Sequence, residues 1–163
     1  MDTLSGTCTL YAGQAPLGVV DDRLFAFLGE DERVERWVVT PVPQHGENAV
    51  IIETHDRSAG MLLPDERPGT QVAVTPMIVG TSEPPSFPPN EVWIATPLAA
   101  EHASGLDPST AVAFTLRSMS VGADQFIGRQ EAEDRSMLPK RIVLLPEGTP
   151  TAPVVAVPRP RAE

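Results

Sequence analysis

The chain lacks much of what catalysis, secretion and nucleic-acid binding require. It holds a single cysteine, Cys8, so no internal disulfide can form and a stapled secreted framework is excluded. Basic side chains are scarce: 12 Lys and Arg stand against 22 Asp and Glu, a formal charge of −10 that would repel phosphates over most of the surface. A nucleic-acid partner is therefore not expected. No apolar run approaches the roughly 18 residues of a membrane span. The opening "MDTLSGTCTL" has neither a basic n-region nor an apolar h-region, so neither a signal peptide nor a membrane partner is expected, and a cytoplasmic location is. Aromatics make up 5% of the chain, and Lys140 is its one lysine.

Turn-formers are abundant instead. Among 163 residues, 18 prolines and 12 glycines break helices and central strands alike. That punctuation favours short strands joined by many turns, within one domain spanning 1–163. Strand-like runs rich in Val, Ile, Leu and Phe come in fours. The first pass is "CTLY" (8–11), "LGVV" (17–20), "LFAFL" (24–28) and "RWVVTPV" (36–42). The second is "AVIIE" (49–53), "GMLL" (60–63), "TQVAVTPMIV" (70–79) and "EVWIATP" (91–97). The third is "AVAFTL" (111–116), "FIG" (126–128), "KRIVLLP" (140–146) and "PVVAVP" (153–158).

The passes agree in detail. Each second run touches a glycine (Gly18, Gly60, Gly128) and is followed by an acidic segment; each fourth run contains a late proline (Pro41, Pro97, Pro158). Trp37 and Trp93 fall at nearly the same place in two fourth runs, where core packing is expected. Twelve short strands in three pseudo-repeats, roughly 6–45, 46–98 and 109–158, predict an all-β fold, a β-trefoil. Six strands would close a barrel and three hairpins would cap it, because no repeat can bury its apolar face alone. Acidic "GEDERVERWVV" (29–39) and "TPLAAEHASGLDP" (96–108) offer a helical turn or two. "GTSEPPSFPPN" (80–90) reads as a polyproline-like loop, and the tail "PRPRAE" as a fraying end.

No catalytic constellation emerges, so no enzyme and no cofactor are expected. His45, His55 and His102 lack metal-site spacing, and there is no GxSxG elbow and no phosphate-cradling glycine loop. Neighbours His55 and Asp56 read as a surface loop. Cys8 lies inside a strand run, as a small buried hydrophobe. Acidic pairs such as Asp21-Asp22 and Glu133-Asp134 stand where tight turns should lie.

"EDRSMLPKRIVLLPEG" (133–148) concentrates Arg135, Lys140 and Arg141 beside apolar Met137, Leu138 and Pro139. If residues 126–128 and 140–146 are adjacent strands of one repeat, 129–139 is the excursion between them. A loop held at both ends by a rigid barrel can enter a protease cleft as an extended segment without a large ordering cost. Arg135-Ser136 or Lys140 would suit a trypsin-like pocket, and Met137 or Leu138 a chymotrypsin-like slot. Alternatively Arg135 pairs with Glu131 or Asp134, and Leu138-Pro139 packs as a plain turn.

"DDRLFAFL", "RWVVTPVPQHGENAVIIE", "RPGTQVAVTPMIV", "FPPNEVWIATP" and "IGRQEAEDRSMLPKRIVLLPEG" resemble the mushroom serine-protease inhibitors of β-trefoil fold, the cospin-like family, which also has bacterial members. The resemblance covers about residues 6–97 and 110–158. It implies a monomeric inhibitor with a serine-protease partner, bound through the loop at 131–141: Arg135, Ser136, Met137, Leu138, Pro139 and Lys140. By position it places the reactive residue at Leu138, with Arg135 and Lys140 as basic alternatives. In the fungal members the segment like "EDRSMLPK" comes near the N-terminus; here it comes last, the order a circular permutation would produce. Two other functions are open from the residues alone. One is a carbohydrate-binding trefoil using Trp37 and Trp93, although no QxW repeats. The other is a partner-binding module docking through "SEPPSFPPNE" (82–91).

Overall fold

Alternation along each strand decides which side chains meet. The computed structural model describes residues 6–12, 15–27, 34–82, 84–98, 111–122, 125–129, 140–146, 148 and 154–158, and these form twelve strands and two short 3-10 turns. Six strands close a ring: β1 (Gly6–Ala12), β4 (Trp37–Pro41), β5 (Ala49–Thr54), β8 (Trp93–Pro97), β9 (Val112–Ser118) and β12 (Val154–Pro158). Each is antiparallel to the next, and β12 returns to β1 over five residue pairs, from Cys8↔Pro158 to Ala12↔Val154. A ring of this kind leaves no open barrel edge.

The other six strands form three hairpins: β2 (Ala15–Val20) with β3 (Arg23–Ala26), β6 (Gly60–Leu62) with β7 (Ala73–Thr75), and β10 (Ile127–Arg129) with β11 (Lys140–Leu144). They also pair with one another. Arg23 of β3 faces Ala73 of β7, Ala26 of β3 faces Lys140 of β11, and Gln71 bridges Val143. The β2–β3 turn is two residues long, and Asp21 and Asp22 adopt φ of 50° and 62°. That left-handed pair suits the twist of a tight hairpin, and Asp tolerates it better than most residues.

Period-two alternation sends one face of the ring inward. Leu10, Val39, Val50, Ile52, Ala95, Phe114, Leu116 and Ala156 join one core cluster with Leu17, Leu24, Met61, Ile127, Ile142 and Leu144 from the hairpins. The intervening residues are not all wet. Ala49 and Ile51 pack outside the ring with Val42 and Val92, and Ala113 and Val155 with Ala111. Two-sided burial explains why residues 49–52, "AVII", are apolar in succession rather than alternating. Each Leu, Ile or Phe so buried contributes roughly 1.5–3 kcal/mol by removing apolar area from water.

The fourth strands of the passes start at equivalent places: Trp37, Trp93 and Val154. Both tryptophans are fully buried, and each indole N–H donates to a backbone carbonyl on the second strand of its own pass. Trp37 reaches Leu17 at 3.4 Å, and Trp93 reaches Met61 at 3.0 Å. One apolar plate and one polar tether thus join each ring strand to its hairpin.

Two expectations change. Residues 34–39 are not helical: Val34 bridges Gly18, the Glu35 N–H donates to the Leu17 carbonyl, and Trp37 begins β4. The β-branched Val34, Val38 and Val39 and the sheet ladder outweigh the acidic helix-start cue. Residues 28–33 and 99–110, with the rest of those two candidate helices, lie outside the described residues, as does the tail at 159–163. The run 70–79 is not one strand either. The Val72 N–H donates to Ile142, Ala73–Thr75 pair with β6, and the ladder ends at Pro76, which has no N–H to give.

Replacing Trp93 with Phe removes a buried donor from the Met61 carbonyl and should cost about 1–3 kcal/mol in urea unfolding. Trp37→Phe, with its longer bond, should cost less; equal costs would show that the tethers do not matter. A permutant joining the present ends and opening the chain between Ala100 and Pro108 keeps β1 beside β12 and β8 beside β9, five pairs each. It should melt within about 4 °C of the parent, whereas a drop of tens of degrees would show that strand order is essential.

Candidate functional site

The excursion at 130–139 leaves β10 after Arg129 and returns at Lys140, so its footing is set by how β11 is held. One edge of β11 pairs with β10: Ile127↔Leu144, Gly128↔Val143 and Arg129↔Ile142. The Leu145 N–H extends that ladder to the Phe126 carbonyl at 2.9 Å. The opposite edge meets residues 69–72. There the Val72 N–H donates to Ile142 at 2.9 Å, the Leu144 N–H to Thr70 at 2.8 Å, and the Gly69 N–H to Leu144 at 2.7 Å. Ahead of that stretch, Lys140 and Arg141 pair with Ala26 and Phe25 of β3. A strand bonded on both edges, with Ile142, Val143 and Leu144 all buried, opens only at the cost of several hydrogen bonds and much apolar area.

Of the expected contact residues, Arg135, Ser136, Met137, Leu138 and Pro139 lie outside the described residues. Lys140 is described and does not stand at a tip. It is the first residue of β11 and is 4% exposed, on the same face as buried Ile142 and Leu144, while Arg141 points to solvent. The physical reason is period two: a strand that buries Ile142 and Leu144 must turn Lys140 the same way. A buried lysine cannot reach into another protein's pocket without unzipping its strand. Lys140 therefore belongs to the root of the loop.

Other polar groups singled out by type are otherwise engaged. Burial pushes the Cys8 thiol up to about 12, which keeps it protonated at neutral pH. Asp56 accepts the Ser58 N–H at 3.0 Å, the Ser58 hydroxyl at 2.7 Å and the Thr54 hydroxyl at 2.8 Å. Those bonds, the Ser58 N–H foremost, pull its carboxyl down to about 2. With Glu35 and His55, Asp56 lines a shallow cavity of about 370 Å³, but the Glu35 carboxylate there accepts the His55 backbone N–H at 3.1 Å. His45 accepts the Phe87 N–H at 3.1 Å through Nε2. His102 lies outside the described residues. Trp37 and Trp93, the aromatic platform a lectin would need, are wholly interior. Phe87 of the proline strip packs against the Val42, Ala49, Ile51 and Val92 cluster and covers the barrel.

Comparison with known proteins gives the chain a family and agrees with the all-β fold. The profile of the family described as peptidase inhibitor I66 matches residues 2–97 and 109–158, and the chain belongs to that family. Over 79 residues it is 42% identical to a serine protease inhibitor of Lentinula edodes, covering 48% of this chain and 54% of that protein. The chain thus spans about half the length of the curated relative it matches. Its fold is like that of a designed threefold-symmetric protein, ThreeFoil, with a TM-score of 0.63 and 12% identity over 93% of this chain and 98% of that one. It is also like part of a mosquitocidal holotoxin: TM-score 0.63 and 8% identity over 96% of this chain and 17% of the toxin. At such identities the likeness is of fold alone.

Sequence reasoning missed the burial of Lys140, although the alternation Lys140, Ile142, Leu144 could have revealed it. Lys140→Ala should lower stability by about 1–3 kcal/mol in chemical denaturation, as truncation of a packed side chain does. A variant as stable as the parent would contradict a packed root.

Proposed function

We propose that this protein is a β-trefoil inhibitor of serine proteases, acting one-to-one as a monomer through the loop at residues 131–139. Its three pseudo-repeats are the passes of four strands, 6–45, 46–98 and 109–158, and it is a stoichiometric binder rather than a catalyst. The observation that carries this reading is the meeting of two facts. The chain belongs to a peptidase inhibitor family, and the family-like segment "EDRSMLPK" springs from a β11 bonded on both edges. The 79-residue match to a serine protease inhibitor adds the class of target.

The mechanism needs no cofactor. A protease binds an extended substrate by threading it across the cleft and seating one side chain in a specificity pocket. A free peptide loses much chain entropy on binding; a loop with fixed ends has lost most of it beforehand, so more of the contact energy appears as affinity. Fixed ends also oppose turnover, because cleaved halves anchored to the barrel stay in place. Leu138, just before Pro139, is the side chain we assign to the pocket, with Arg135 as the basic alternative. Lys140 anchors the return strand.

The test is direct. Parent protein at micromolar concentration should slow at least one of trypsin, chymotrypsin and subtilisin. Leu138→Ala should weaken inhibition of a protease with an apolar pocket by about ten- to a hundredfold, and Arg135→Ala should matter most against trypsin. If no protease is slowed, or neither substitution changes the inhibition seen, the reading fails.

A further inference from the structure

A second surface carries the marks of a presented loop. Of the large hydrophobic residues described, Ile78 and Val79 are the most exposed, at 69% and 54%. Single exposed aliphatics are common on protein surfaces. Two adjacent ones on a backbone that is braced from several sides are not explained by that background.

The bracing is specific. Glu91, 2% exposed, accepts the Ile78 N–H through Oε2 at 2.7 Å, while its other carboxylate oxygen, Oε1, has no hydrogen-bond partner among the described residues. A buried carboxylate spent on one backbone N–H is costly, and burial raises its proton affinity accordingly. Its visible return is the fixed position of Ile78. On one side of the exposed pair, Met77 packs over Gly60, where any Cβ would overlap the Met77 thioether. On the other side, the Gly80 N–H donates to the Ser86 carbonyl at 2.7 Å, and a Cβ at Gly80 would overlap the Ser86 hydroxyl. Further along, Gln44 Nε2 donates to the Pro85 carbonyl at 2.7 Å, and Phe87 lies against His45 with ring centroids 6.1 Å apart. The hydrogen bonds hold this backbone, and the two aliphatic side chains it carries are left in water.

We propose that Met77–Gly80 is a second protease-contact segment, offering Ile78 and Val79 to a serine protease with a small, apolar specificity pocket. This rests on the inhibitor reading above and extends it from one contact loop to two. The chemistry at the two places differs. The 131–139 loop joins basic and large apolar residues, whereas Ile78 and Val79 are β-branched aliphatics without a charge beside them, the kind of side chain a shallow elastase-like pocket takes. The segment lies between β7 and β8, whereas 131–139 lies between β10 and β11, so the two loops belong to different passes of the fold.

Pancreatic elastase is the probe, with trypsin and chymotrypsin as controls for the first loop. The parent should slow elastase. Ile78→Asp, which places a charge where the pocket is apolar, should weaken that inhibition about a hundredfold and leave inhibition of the controls unchanged. Val79→Asp is the second variant, and Leu138→Asp should show the opposite pattern. Both aspartate changes fall at exposed positions, so melting temperatures should stay near the parent's. If the protein inhibits a control protease but not elastase, or if Ile78→Asp and Val79→Asp leave elastase inhibition intact, the second loop is overturned and the first stands. If it inhibits neither elastase nor any of trypsin, chymotrypsin and subtilisin, both readings fall.

Discussion

Inhibition through residues 131–139 depends on β11 being bonded along both edges. A loop can be offered to another protein in a fixed shape only if its ends cannot move, and here the returning end enters a strand held by β10 on one side and by β3 and residues 69–72 on the other. The segments doing the holding come from all three passes of the chain. The closed ring of six strands is what fixes those passes in place, and its final closure is the five-pair ladder between β1 and β12.

The ring is held to its hairpins by repeated devices. Trp37 and Trp93 each fill the core and reach back to the second strand of the same pass, at Leu17 and Met61. The third pass has Val154 instead, without an indole to donate, and packs its β12 into the same core cluster. The symmetry is thus one of position and packing rather than of identical residues. It leaves each pass free to vary the loop it carries: two acidic residues in left-handed conformation between β2 and β3, the braced Ile78-Val79 stretch between β7 and β8, and a long excursion between β10 and β11.

Much of this was legible in the sequence because barrel physics is periodic. Each of the twelve apolar runs holds a strand, although 70–79 keeps only Ala73–Thr75 in it. The glycines at 18, 60 and 128 all fell in the first strand of a hairpin, and the tryptophans went inside as their place in strand runs implied. What was not legible followed from tertiary pairing. Val34 to Val39 carried acidic neighbours that suit a helix start, but the available ladder to Gly18 and β5 decided otherwise. Lys140 looked like a recognition residue by charge, and the face it shares with Ile142 and Leu144 turned it inward. Glu91 was indistinguishable from any surface acid until the Ile78 N–H was found on it. Single-residue chemistry, in short, was overruled wherever a neighbour from a distant part of the chain set the environment.

The account is tested most directly by a crystal structure of this protein bound to a serine protease whose inhibition Leu138→Ala or Arg135→Ala weakens. The account predicts residues 131–139 lying across the protease cleft, with Leu138 or Arg135 in the specificity pocket, and β10 and β11 paired as in the free protein. A complex in which those residues are remote from the protease, or in which β11 has come away from β10 to make contact, would contradict it.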